Sequence, residues 1–71
     1  MEFSDIARAR MQQYSLTEGQ VAFTLDQGPP AYTRRGVDTY RAILPDGRHM
    51  KVQMKAGIIK DAFTHQPPTG E

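Results

Sequence analysis

Cationic side chains crowd into one stretch of this 71-residue chain. Between residues 33 and 60 stand Arg34, Arg35, Arg41, Arg48, Lys51, Lys55 and Lys60, opposed only by Asp38 and Asp46, whereas residues 1–32 hold two Arg against four acids. The net charge of +1 conceals this split. A basic half on a near-neutral chain fits a surface that meets RNA, DNA or an acidic protein. A Lys- and Arg-rich face kept for solubility is the plain alternative. His49 lies inside the basic stretch, and imidazole is the side chain that exchanges protons near neutrality. Other chemistries find little support. The chain has no Cys and only His49 and His65 as histidines, so no metal-ligand spacing is recognisable. Ser4 and Ser15 lack His–acid partners, and the glycines stand isolated in turns, apart from any phosphate-loop pattern. No metal and no cofactor are expected.

The chain is long enough for one small domain with a thin core, since a domain of this size buries only about 60 % of its unfolded surface. Its apolar runs, such as Ile43-Leu44 and Ile58-Ile59, are too short to span a membrane, and no apolar leader follows Met1. A cytoplasmic protein with no membrane contact is expected. Phe3, Ile6, Ala7, Arg10, Met11 and Tyr14 recur at steps of three and four, the period of one helix face, with Ser4 as N-cap and Asp5 in the first turn. Thr17 and Gln20 have capping-box spacing, flanked by Leu16 and Val21 as a hydrophobic staple. Val21, Ala22 and Leu25 then mark a second buried stripe, ended by Gly28-Pro29-Pro30.

Beyond the prolines the period falls to 2. Residues 37–44, 48–55 and 58–65 read as strands, joined by Pro45-Asp46-Gly47 and by Ala56-Gly57. The expectation is an α+β domain over residues 1–65, with two short N-terminal helices packed on one face of a three-stranded antiparallel β-meander. Residues 66–71 are expected to form a flexible tail.

Register arithmetic divides the sheet into two faces. A three-residue turn pairs Leu44 with Arg48, Ala42 with Met50, Tyr40 with Val52 and Asp38 with Met54. A two-residue turn at Ala56-Gly57 pairs Met54 with Ile59, Val52 with Asp61 and Met50 with Phe63. Side chains alternate between faces, so Tyr40, Ala42, Leu44, Met50, Val52, Met54, Ile59 and Phe63 face the helices. The other face collects Arg41, His49, Lys51, Gln53, Lys55, Lys60 and Thr64, with Ile43 and Ile58. Arg41 falls directly across from Lys51, an unfavourable like-charge pair that a phosphate-binding face would explain. This pairing places Asp61 on the buried face, where a carboxylate needs a partner; Arg10 of the first helix is that partner, with the Tyr40 hydroxyl nearby, as a structural link between helix and sheet.

The run Phe3-Ser4-Asp5-Ile6-Ala7-Arg8-Ala9-Arg10-Met11, the run Leu16-Thr17-Glu18-Gly19-Gln20-Val21, and Tyr40-Arg41 with its hairpin resemble a family of small bacterial domains of unknown function that look like relatives of BrnT-type and RelE-type toxins. The resemblance covers roughly residues 3–64. Ser4, Ala7, Arg10 and Met11 match its typical opening, whereas Ile6 stands at its His position and Tyr14 at its second Arg position. It implies a RelE/BrnT toxin-like fold and, in active relatives, metal-independent cleavage of RNA by basic residues on the sheet. In this chain Arg41 and Lys51 would stabilise phosphorane charge, and His49 would serve as acid or base. Arg34, Arg35, Lys55 and Lys60 would join Arg41 and Lys51 in binding the nucleic acid, with Arg34-Arg35-Gly36 as a mobile entry to the first strand.

Two functions follow. One is a toxin-like protein, active or degenerate, that binds RNA or the ribosome and is neutralised by an acidic antitoxin segment. The other is a non-enzymatic interaction module, a small regulator or inhibitor, that meets an acidic protein on the same face or forms a homodimer through the sheet edge. The loss of the family's His at Ile6 favours the second, and the grouping of Arg41, His49 and Lys51 favours the first. DNA binding is disfavoured, because the short helices hold too few cations for a recognition helix.

Overall fold

The structure, a computed structural model, describes residues 1–65; the expected tail at 66–71 lies outside the described residues. Ser4 begins the architecture. Its Oγ accepts the Ala7 N–H at 3.1 Å and so caps helix α1, Asp5–Gln13, satisfying one of the helix's orphan donors. The same hydroxyl donates to the Lys60 carbonyl at 3.0 Å, and the Ser4 N–H bonds the Ile59 carbonyl at 2.9 Å. Immediately before it, Glu2–Phe3 forms a two-residue strand, β1, running parallel to the last strand. Helix α2, Glu18–Leu25, starts at the reciprocal Thr17–Gln20 capping box that the spacing predicts.

The expected three-stranded antiparallel meander of RelE/BrnT type is not what forms. The protein is α+β, but its sheet is mixed and has five strands, in the spatial order β1, β5 (Ile58–His65, parallel to β1), β4 (His49–Lys55), β3 (Val37–Ile43) and β2 (Tyr32–Arg34). Strand β2 is the second addition; β3, β4 and β5 match the three expected strands within a residue. The physical reason is length. Strands of two and three residues are too short to display the alternation on which a reading of period 2 depends. Arg34 and Arg35 therefore do not form a mobile entry to the sheet. Arg34 pairs with Val37, and Arg35-Gly36 is the hairpin turn between them. Arg35 and Gly36 have φ of 55° and 77°, and Ala56 and Gly57 between β4 and β5 have 51° and 80°, the both-positive pattern of a type I′ turn.

The β3–β4 register agrees with the arithmetic at every pair. The β4–β5 register agrees only at Met54–Ile59. A bulge opposite Gln53 and Met54 then gives β5 one extra residue, Lys60, so that Val52 pairs with Ala62, Met50 with Thr64, and Gln53 with Asp61. Every residue of β5 beyond Lys60 thus moves to the opposite face from that expected. Ala62 and Thr64 enter the core, and Asp61 and Phe63 leave it.

Both helices cover one face, α1 against β5 and α2 against β3 and β4. Ala7 and Met11 from α1, Leu16 from the turn and Val21 from α2 are buried against Leu44, Met50, Val52 and Ile59. Thr24, absent from the expected stripe, is buried too; its hydroxyl donates to the Gln20 carbonyl and lies 3.2 Å from the Met50 sulfur. Ile6, expected inside, is 64 % exposed. Arg48 closes the other end of the core. Its backbone and guanidinium bond Asp46, and its second nitrogen donates to the Tyr14 carbonyl at 2.8 Å, tying the β3–β4 turn to the end of α1.

Two substitutions check these assignments by denaturant unfolding. Ser4→Ala removes both the cap and the link to Lys60 and lowers stability by about 1–2 kcal/mol. Ala56→Asn, placing a residue tolerant of positive φ in the type I′ turn, raises it by about 0.5–1 kcal/mol.

Candidate functional site

Residues paired across an antiparallel ladder share a face, so the register arranges the helix-free side in transverse rows. Ile43, His49 and His65 form one row, and Arg41, Lys51 and Phe63 the next. Tyr32, Thr39, Gln53 and Asp61 form a third. Among the described residues no helix packs on this side.

The first two rows shape a hollow of about 390 Å³ lined by Arg41, Ile43, His49, Lys51 and His65, together with Ala42 and Met50. The structure thus brings the sequence-derived trio of Arg41, His49 and Lys51 to one place. It adds His65, whose ring centroid lies 5.6 Å from that of His49 with the planes tilted by 53°. His65 reaches this face through the bulge; without it, the strand would carry His65 to the helix side. The signal in the sequence is the adjacent pair Ile58-Ile59, which breaks strict alternation, followed by Asp61 and His65 at positions that an unbroken register would bury.

The other candidate residues divide. Arg34 and Arg35 line a second hollow, of about 280 Å³, with Tyr32, Val37, Thr39 and Gln53. Lys55 pairs with Ile58 at the turn end of β4 and lines neither hollow, and Lys60 is the exposed bulge residue. Arg10 and Asp61 approach, Nε to Oδ1 at 4.0 Å, and the Arg10 guanidinium lies 5.9 Å from the Phe63 ring. That contact reaches Asp61 on the open face. The expected placement of Asp61 in the core is therefore overturned by the bulge, and Tyr40, which packs against the core across from Val52, is not part of the cluster.

Charge on this face is largely unbalanced. The ion pairs among the described residues are Arg8–Glu18, Arg10–Asp61 and Arg48–Asp46, which leaves Arg34, Arg35, Arg41 and Lys51 without a carboxylate. Arg41 instead lies over the Tyr32 ring at 5.7 Å, a cation–π contact that leaves its charge unneutralised. Tyr32 is exposed on the edge strand β2. Its phenol is held below its ordinary pKa of 10.0, chiefly by a hydrogen bond from Thr39, with the cations Lys51, Arg41 and Arg34 acting in the same direction against desolvation. Thr39 is closed off from solvent although it stands on the open face.

The arrangement can do two things chemically. Guanidinium and ammonium groups without anionic partners can hold phosphate oxygens, and two neighbouring imidazoles can move protons in opposite directions. Comparison of the chain with family models, with curated proteins and with solved structures returned no match, so the site is read from its own chemistry.

The Tyr32 environment is directly measurable. In a pH titration followed by NMR of labelled tyrosine, the Tyr32 phenol loses its proton below the ordinary range. The isosteric Thr39→Val returns the midpoint toward 10.0 by more than Lys51→Ala or Arg41→Ala does; equal effects from all three would contradict the assigned order of causes.

Proposed function

We propose that this is a small RNA-acting protein of toxin-like type, whose open sheet face takes RNA and whose His-lined hollow cleaves the phosphodiester without a metal. The observation that carries this reading is the convergence of Arg41, Lys51, His49 and His65 on one hollow. The uncompensated positive charge of the face among the described residues supports it, and the toxin-like type is what the sequence resemblance of residues 3–64 implies.

The chemistry balances with the groups present. A neutral imidazole of the pair accepts the proton of a ribose 2′-hydroxyl, and the 2′-oxygen attacks the adjacent phosphorus. Negative charge gathers on the non-bridging oxygens, where Arg41 and Lys51 stabilise it. The bond from phosphorus to the 5′-oxygen breaks, and the protonated imidazole of the pair delivers a proton to that leaving oxygen. The products are a 2′,3′-cyclic phosphate and a 5′-hydroxyl end. An acidic segment of an antitoxin-type partner would neutralise the protein by covering the same cations.

Ile43, 63 % exposed at the rim of the hollow, favours a second reading: a non-enzymatic module whose acidic protein partner covers the face and buries this side chain.

Induced expression in a bacterial host separates the two, and working in cells allows for cleavage confined to the ribosome. Growth arrest with new 5′-hydroxyl RNA ends is expected. Arg41→Ala, His49→Ala and His65→Ala each reduce the cleavage by about 100-fold or more. In binding assays, Arg34→Ala with Arg35→Ala flattens the salt dependence by about 0.7 per lost phosphate contact. Normal growth and unchanged RNA ends from folded, soluble protein would leave the interaction module as the surviving reading.

A further inference from the structure

The geometry points to the second hollow as a binding site for one unpaired nucleobase, stacked against Tyr32 and read by Gln53, which makes single-stranded RNA the ligand class. The inference rests on the reading of the open face as RNA-binding and adds to it a choice between strand states.

The hollow has the parts such a site needs. Tyr32 supplies an aromatic wall that is 41 % exposed, and every base can offer a π-face to it. Val37 gives an apolar surface, and the half-buried Gln53 presents an amide that both donates and accepts, matching the mixed edges of bases. Arg34 and Arg35 stand on the hollow's border without carboxylate partners among the described residues, where they can hold the flanking phosphates. A base in a duplex has both π-faces covered by its neighbours, and the deep, narrow major groove of A-form RNA closes its edges to side chains. Only an unpaired base can enter.

Position links this site to the other hollow. Tyr32 is paired with Thr39, which lies two residues from Arg41 on the same face of β3, a separation of about 7 Å along the strand. Arg41 lines the first hollow and also lies over the Tyr32 ring. One side chain therefore borders both places. A strand with a phosphate at Arg41 and Lys51 has its adjoining nucleotide within reach of Tyr32.

The test uses fluorescence anisotropy with short 2′-O-methyl RNA, which lacks the attacking hydroxyl and so reports binding alone. A single strand is expected to bind at least about tenfold tighter than a blunt duplex of the same sequence. Tyr32→Leu weakens single-strand binding by about fivefold or more with no change in salt slope, and Tyr32→Phe, which keeps the ring, restores it. Gln53→Leu narrows the spread of affinities among oligo-A, oligo-C, oligo-G and oligo-U. Binding of the duplex as tight as that of the single strand, or a Tyr32→Leu variant with unchanged affinity, overturns this inference and leaves the RNA-binding reading intact. Absence of binding to either form overturns both. Because Tyr32 lies on an edge strand and outside the core, loss of affinity in a variant with unchanged thermal unfolding reports on the site.

Discussion

One extra residue in β5 decides what this protein can present. Lys60 has no partner across the β4–β5 ladder, and its insertion reverses the faces of all that follows. Without the bulge, the period of 2 would drive Asp61, Phe63 and His65 toward the helices and place Ala62 and Thr64 outside. That alternative would bury a carboxylate and an imidazole among apolar side chains, a cost of several kcal/mol for any such group left without a partner. The bulge exchanges those residues for Ala62, which is fully buried, and Thr64, which is nearly so. Core chemistry and the assembly of the histidine pair are therefore the same event. The bulge is also pinned from outside, since the Ser4 hydroxyl bonds the Lys60 carbonyl while capping α1. Helix start, parallel strand and face reversal meet at one side chain.

The two sides of the sheet follow different rules as a result. On the helix side, polar groups have partners: Thr24 bonds to a backbone carbonyl, and no buried side-chain polar atom among the described residues is left without a hydrogen bond. On the open side Arg41 and Lys51 face each other across the ladder, an arrangement that costs some tenths of a kcal/mol. Water screening keeps the repulsion small at an exposed site. The Tyr32 ring under Arg41 relieves part of it without neutralising the charge. A sheet selected for stability alone would gain from exchanging either cation for an acid, so stability does not account for the Arg41–Lys51 pair.

Legibility in the sequence followed the strength of the local signal. The Thr17–Gln20 capping box, the Ser4 cap and the β3–β4 register were all readable, because each depends on residues a few positions apart. Both two-residue turns contain Gly as the second residue, yet only Ala56-Gly57 was read as a turn between strands; Arg35-Gly36 was hidden because β2 is three residues long. Strand β1 could not be read at all, since Glu2 and Phe3 become a strand only through pairing with Ile58 and Ile59, more than fifty residues away. For the site, Arg41, His49 and Lys51 were found because their register depends on one correctly read turn. His65 was missed because its face depends on the bulge, and Asp61 was misplaced for the same reason.

A chain of this size has little stability to spare, and the placement of the site answers that constraint. The buried apolar residues lie on the helix side of the sheet or in the helices themselves. Arg41, Lys51, His49 and His65 lie on the other side and contribute almost nothing to that core. Arg48, by contrast, spends its charge on Asp46 and on the Tyr14 carbonyl, so a basic residue four positions from Leu44 is structural although it belongs to the same basic half of the sequence. The distinction separates two kinds of cation that composition alone counts together. Substitution of Arg48 loosens the join between hairpin and helix, whereas substitution of Arg41 or Lys51 removes charge from an exposed face and relieves a repulsion. Loss of function in the latter variants without loss of folding is therefore what this architecture permits, and it is the reason that the open face can change its chemistry while the helix-covered face holds the fold.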